Sequence, residues 1–173
     1  ADLSERGYGV SLLNDCKYGY DIKDNCMRIT LLRAPVDPDP TADRGIHEFC
    51  YSLMPHAGDF RQGETVNAGY ELNVPLKAVV GRSMDYRGAY ARISRKNVII
   101  DTIKYAEDGR GIIIRVYESA GIRGNTCISL LDAPNQVYEC NLMEEPEKQI
   151  QTDGNSFSFH IKPYEIKTFR ILK

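Results

Sequence analysis

Apolar and polar residues alternate with period two along most of this chain, the pattern of strands with one buried and one exposed face. Tyr8, Val10 and Leu12 alternate with smaller or polar neighbours, and Met27, Ile29 and Leu31 repeat the pattern in CMRITLLR. In the following APVDPDPTADRG, Pro35, Pro38 and Pro40 remove backbone donors and fix φ, so the segment reads as an ordered loop. HEFCYSLMPH resumes the alternation with Phe49, Tyr51 and Leu53 on one face, and Pro55 is expected to stop that strand. From Ala57 to about Asn97 the pattern weakens. Gly58, Gly63, Gly69, Pro75, Gly81 and Gly88 interrupt short apolar pieces such as PLKAVVG, which suggests a crossover between two units.

Beyond the crossover, NVIIDTIKYA, GIIIRVYES, NTCISLL, QVYECNLM, NSFSFHIK and YEIKTFRIL are each about strand length. EDGRG and TDGN carry Asp-Gly pairs that accept positive φ and suit hairpins. NSFSFHIKPYEIKTFRI reads as a further hairpin with Pro163 at its corner. Helix formers gather only in LMEEPEKQI, and Pro146 interrupts them. The expected architecture is all-β, with antiparallel sandwiches and almost no helix, in two units covering residues 1–90 and 91–173.

Charge and cysteine usage narrow the function. Twenty-two basic and twenty-four acidic residues leave a net charge of −2 with no basic stripe, which argues against a nucleic-acid partner. No apolar run approaches the ~20 residues of a membrane helix, so no membrane is expected. The chain opens ADLSERGYG without an initiator Met and reaches a strand pattern at once, as a piece of a longer protein does. Cys16, Cys26, Cys50, Cys127 and Cys140 are odd in number and lack CxxC spacing, which suits reduced structural thiols of the cytoplasm.

Candidate chemistry is sparse. His47 and His56 should flank one strand about 30 Å apart, too far to share a metal, and His160 falls in an exposed phase. Cys16 is the one thiol beside a cation, Lys17, but no histidine lies near it in sequence. The serines lack a GxSxG turn, and Gly109 to Gly111 is too short for a phosphate cradle. Most acids sit in turns such as DPDPTAD, AEDGRG and LMEEPE, where turn formation and solvation explain them. NDCKYGYD remains. Asn14 and Asp15 suit a tight turn and Gly19 suits positive φ, which leaves Lys17 and Tyr18 as a cation and a phenol on one loop, fit for sugar hydroxyls and an apolar sugar face.

The compound phrases ADLSERGYGVSLLNDCKYGYDI, LLRAPVDPDPTADRGIHEFCYSLMPH and YELNVPL resemble the C-terminal part of glycoside hydrolase family 38 α-mannosidases of the cytosolic-type branch. NVIIDTIKYAEDGRGIIIRVYES, YECNLMEEP and KPYEIKTFRI are similar to the terminal β-sandwich of the same family. The resemblance implies a retaining enzyme that removes terminal α-mannosyl residues with an aspartate nucleophile and a divalent metal, usually zinc, all in an N-terminal α/β domain that no motif here matches. This chain then resembles the end of a galactose-mutarotase-like sandwich followed by an immunoglobulin-like one. Its expected partners are that catalytic domain and, through it, the α-mannoside. It implies no metal or cofactor held by this chain. In related mannosidases a basic residue from a C-terminal β-domain loop reaches the pocket. NDCKYG resembles that loop, which makes Lys17 the candidate, with Asp15 and Tyr18 beside it. The rival reading is an autonomous carbohydrate-binding module, although no Trp is present to build a stacking platform.

Overall fold

A computed structural model describes residues 1–78, 80–81 and 88–173. The chain divides into two compact units, Ala1–Val80 and Gly81–Lys173. Part of the crossover expected between residues 57 and 97, including residue 79 of PLKAVVG, lies outside the described residues.

The first unit contains β1 (Asp2–Ser4), β2 (Tyr8–Asn14), β3 (Tyr20–Lys23), β4 (Cys26–Ile29), β5 (Tyr51–Ala57) and a helix, α1 (Thr65–Asn73). Strands β1, β2 and β5 form one antiparallel sheet in that order, while β3 and β4 form a separate hairpin. Strand β5 does not stop at Pro55. It continues to Ala57, with Val10 opposite Pro55, because β5 is an edge strand and an edge tolerates a missing N–H. It begins at Tyr51, which leaves Phe49 and His47 in the preceding loop. Leu31 likewise lies beyond the end of β4.

Strand β2 buries a second face besides the one its alternation suggests. Leu12 is buried as expected and Gly9 and Ser11 are buried on the opposite side, whereas Tyr8, expected to be buried, is exposed. The reason is α1, which packs on β2 and brings Thr65 Oγ1 to 2.6 Å from Ser11 Oγ. Sequence patterning passes over this helix for local reasons: its N-cap residue Glu64 is left-handed and supplies no side-chain cap, Gly69 sits inside it, and nine residues hold little periodicity.

The second unit contains β6 (Ala91–Ile93), β7 (Val98–Tyr105), β8 (Ile112–Glu118), β9 (Gly124–Leu130), β10 (Gln136–Cys140), β11 (Pro146–Ile150), β12 (Thr152–Asp153), β13 (Ser156–Ile161) and β14 (Ile166–Leu172). One sheet has the order β11-β10-β14-β8-β7 and the other β12-β13-β9-β6, with every pairing antiparallel. The buried core draws on both sheets: Val98, Ile114, Val116, Val137, Phe169 and Ile171 from one, Ile128, Leu130, Phe157, Phe159 and Ile161 from the other. This is the two-layer solution to burying one face of each sheet. EDGRG and TDGN turn the β7–β8 and β12–β13 hairpins, with Gly109 and Gly154 at φ 73° and 57°.

Two expectations change in this unit. NSFSFHIKPYEIKTFRI is not a hairpin: β13 pairs with β9 and β12, β14 pairs with β8 and β10, and residues 162–165 carry the chain from one sheet to the other. Both strands send their apolar phase into the same core, which local alternation reads equally well as direct pairing. In LMEEPE, Glu144 is buried rather than solvated. Its carboxylate pairs with Lys104 Nζ at 2.8 Å and accepts the Glu107 N–H, and Arg170 Nη2 donates to its carbonyl. The Lys104 hydrogen bond holds Glu144 below the usual carboxylate range.

Candidate functional site

The NDCKYG loop leaves β2 and enters the β3–β4 hairpin. Asn14 Oδ1 accepts the Lys17 N–H and Asn14 Nδ2 donates to Tyr20, so the turn is closed by its own first residue. Asp15 fixes the loop to the segment entering β5: its N–H donates to the Cys50 carbonyl at 3.2 Å and its carboxylate accepts the Cys50 N–H at 3.0 Å. From the other side, Asn73 at the end of α1 donates to the Asn14 carbonyl at 3.1 Å. Gly19 does not take positive φ; a Cβ there would stand 3.1 Å from Thr30 Cβ, a tight contact.

On this frame Lys17 Nζ lies 4.7 Å from the Phe49 ring centroid, a cation over the face of an aromatic ring. Tyr18 projects into solvent, 90% exposed. Asp15 is thus an anchor, Lys17 a half-covered cation and Tyr18 a free ring. The loop can offer ammonium donors and an aromatic face to a polar ligand. Cys16 is not activated: its thiol hydrogen-bonds to Asp15, which pushes it up, and the same bond holds Asp15 below its ordinary value. Phe49, placed by sequence on a strand face, is a partner that only the fold reveals.

The histidines do not converge on a metal. His47 Nε2 contacts the Asp43 carbonyl at 2.9 Å, His160 Nδ1 meets Asn125 Oδ1 at 3.0 Å, and His56 packs inside the first unit. Among the described residues no group of three His, Cys, Asp or Glu side chains could hold a metal ion.

A Ser, a His and an Asp do meet, at Ser11, His56 and Asp2. His56 Nε2 lies 2.6 Å and Ser11 Oγ 2.7 Å from the same Asp2 Oδ2, so the serine bonds to the carboxylate and not to the imidazole. Nucleophilic catalysis needs the base on the hydroxyl, and Ser11 is completely buried besides. The cluster is structural. The imidazole fits between two glycines: a Cβ at Gly9 would come 2.5 Å from His56 Cε1, and one at Gly63 would come 2.4 Å from Cγ. Gly63→Ala is accordingly expected to displace the ring and destabilise the first unit by about 1–3 kcal/mol, checked by denaturant unfolding.

Sequence comparison agrees with this architecture. Residues 1–41 match the glycosyl hydrolases family 38 C-terminal domain, and residues 97–169 match the glycosyl hydrolases family 38 C-terminal beta sandwich domain. The chain is 38% identical to Alpha-mannosidase G of Dictyostelium discoideum, with 99% of this chain and 17% of that protein aligned. It is 36% identical to Alpha-mannosidase 2C1 of Homo sapiens (95% and 16%) and 33% identical to Alpha-mannosidase of Saccharomyces cerevisiae (99% and 18%). It thus spans about a sixth of the length of these relatives. With two C-terminal domain models of one family matched in the order of its two units and relatives aligned along nearly all of it, the chain belongs to glycoside hydrolase family 38.

Proposed function

We propose that this chain is a noncatalytic β-region that supports the catalytic domain of a retaining α-mannosidase and lends it the NDCKYG loop. The observation that carries the reading is the apolar surface left exposed on the sheet of the first unit. Register places Val10 opposite Pro55, Leu12 opposite Leu53 and Tyr8 opposite Ala57 on the side away from α1; Leu12 is buried there, while Tyr8 and Leu53 are 58% and 63% exposed. Water is a poor neighbour for such a face, and another layer of the same polypeptide is a good one. In this reading the aspartate nucleophile and the zinc lie in the rest of the polypeptide. The substrate is an α-mannoside, and the setting is cytoplasmic, where five free cysteines are at home.

The test is an assay of the 173-residue chain and of the full-length enzyme with a chromogenic α-mannoside, with zinc added and removed. Turnover is expected from the full-length enzyme alone; zinc-dependent hydrolysis by the 173-residue chain would overturn the reading. For the loop, Lys17→Ala in the full-length enzyme is expected to lower kcat/KM severalfold or more, about 1 kcal/mol or above in transition-state terms. An unchanged kcat/KM would separate the loop from the pocket. The exposed Tyr18 ring favours a second reading, a carbohydrate-binding module, which predicts saturable heat when mannosides are titrated into the 173-residue chain.

A further inference from the structure

Helix α1 starts without the usual fastenings. Its N-cap residue makes no side-chain cap, its first turn holds no acidic residue, and a helix of nine residues is marginal in water unless something external holds it. What ties its first residue to the sheet is a relay of side chains. Ser11 Oγ donates to Asp2 Oδ2 at 2.7 Å, so the hydroxyl of Thr65, 2.6 Å from Ser11 Oγ, is the donor in that pair. Ser4 also donates to Asp2. From the far side, His56 Nε2 donates to Asp2 Oδ2 at 2.6 Å. Every donor thus runs toward one carboxylate.

The other ring nitrogen of His56 also faces an acceptor, the Ala57 carbonyl at 3.3 Å. A neutral imidazole carries a single N–H and can satisfy only one of these acceptors, whereas the imidazolium satisfies both. The side chain is 6% exposed, so little water is available to replace a lost bond, and Gly9 and Gly63 leave the ring no room to turn. The charged groups around the ring are Asp2 from β1 and Asp59 from the turn after β5, the latter paired with Arg61 at 3.1 Å. Strand β2 contributes the hydroxyl of Ser11, and α1 that of Thr65.

We propose that His56 is doubly protonated in the folded protein and latches α1 to the sheet, releasing it as the pH rises. Through Asn73 and its bond to the Asn14 carbonyl, the latch also fixes the start of the NDCKYG loop. The latch is independent of whether that loop touches a sugar. Its sign follows from linkage. The Asp2 hydrogen bond, opposed by burial, holds His56 above its ordinary value, so its contribution is complete below the unfolded value of 6.5 and disappears as the pH climbs through the higher folded one. Asp2 is shifted the other way. Burial opposes its ionisation, but the Ser4, Ser11 and His56 hydrogen bonds outweigh it, so its contribution is complete above 3.8 and fails only in acid.

Hydrogen–deuterium exchange on the full-length protein tests the latch. After correction for intrinsic rates, amides of residues 63–74 are expected to lose about tenfold in protection between about pH 6 and about pH 9. Strands β8 and β14 should hold constant. In Asp2→Asn and His56→Gln, residues 63–74 are expected to be weakly protected at both pH values, with no step between them. Should His56→Gln fail to fold, Asp2→Asn alone decides. A wild-type profile flat with pH, or a step that survives in Asp2→Asn, would overturn the proposal.

Discussion

Glu118→Ala is expected to cost the second unit about 3 kcal/mol or more, read as a drop in denaturant midpoint at unchanged slope. The carboxylate is 1% exposed and lies at the end of β8, where it accepts the N–H groups of Ala120 (2.8 Å), Gly121 (2.7 Å) and Tyr164 (3.0 Å) and the side-chain amide of Asn97 (2.7 Å). It therefore joins the loop after β8 to the arch between β13 and β14, and it holds Tyr164 in a left-handed conformation, φ 56°, that this residue otherwise avoids. Burial by itself would raise the carboxyl, but the Tyr164 and Asn97 donors and their neighbours outweigh it and hold the group down to about 2. Removing the carboxylate leaves these donors buried and unpaired, the costly side of hydrogen-bond energetics. Because the folded value is depressed, the stabilisation is complete above the unfolded value of 4.5 and is lost as the pH falls toward about 2. Glu118→Gln is expected to flatten that acid limb, since an amide turns an N–H toward donors that need an acceptor.

The second large effect is expected from Phe169→Ala, at about 3–5 kcal/mol, measured by thermal or denaturant unfolding. Phe169 is fully buried on β14, in the middle of the sheet, and its ring centroid lies 4.5 Å from Phe159 and 5.1 Å from Phe157 on the facing sheet. The three rings are the largest apolar bodies shared by the two layers, packed at tilted and edge-on angles that suit aromatic quadrupoles. Truncation removes both transfer energy and packing, and rings held on two separate sheets collapse poorly into the space. Phe169→Leu is expected to retain about half of the loss, because it keeps much of the volume. A cost equal to that of Phe169→Ala would show that ring geometry, and not volume, is what the core requires.

The second unit was the more legible from sequence. Asp-Gly turns close its β7–β8 and β12–β13 hairpins, and strands such as β13 bury one phase of their alternation, as with Phe157, Phe159 and Ile161, so local pattern and tertiary burial coincide. The same locality explains the failures. Alternation records which side chains face a core but not which strand lies alongside, so β13 and β14 read as a hairpin although they serve opposite layers. In the first unit, Pro55 reads as a stop unless β5 is known to be an edge, and α1 carries neither cap nor periodicity strong enough to announce itself. At the candidate loop, the turn chemistry of Asn14 and the prominence of Lys17 and Tyr18 follow from residue type. The Phe49 ring beneath Lys17 and the Asn73 tether do not, because each partner is more than thirty positions away in the chain.

The sequence by itself determined the family and the all-β class, because these reside in residue identities and short spacings. The tertiary structure alone decided that Glu118 is a depressed anchor for several donors, that Glu144 is buried against Lys104, and that Asp2, Ser11, His56 and Thr65 share one hydrogen-bond relay. A carboxylate's identity says nothing about its solvent or its donors. Those depend on strands and a helix that meet only when distant segments pack, and it is that environment which sets whether an ionisable group dissolves, pairs or anchors.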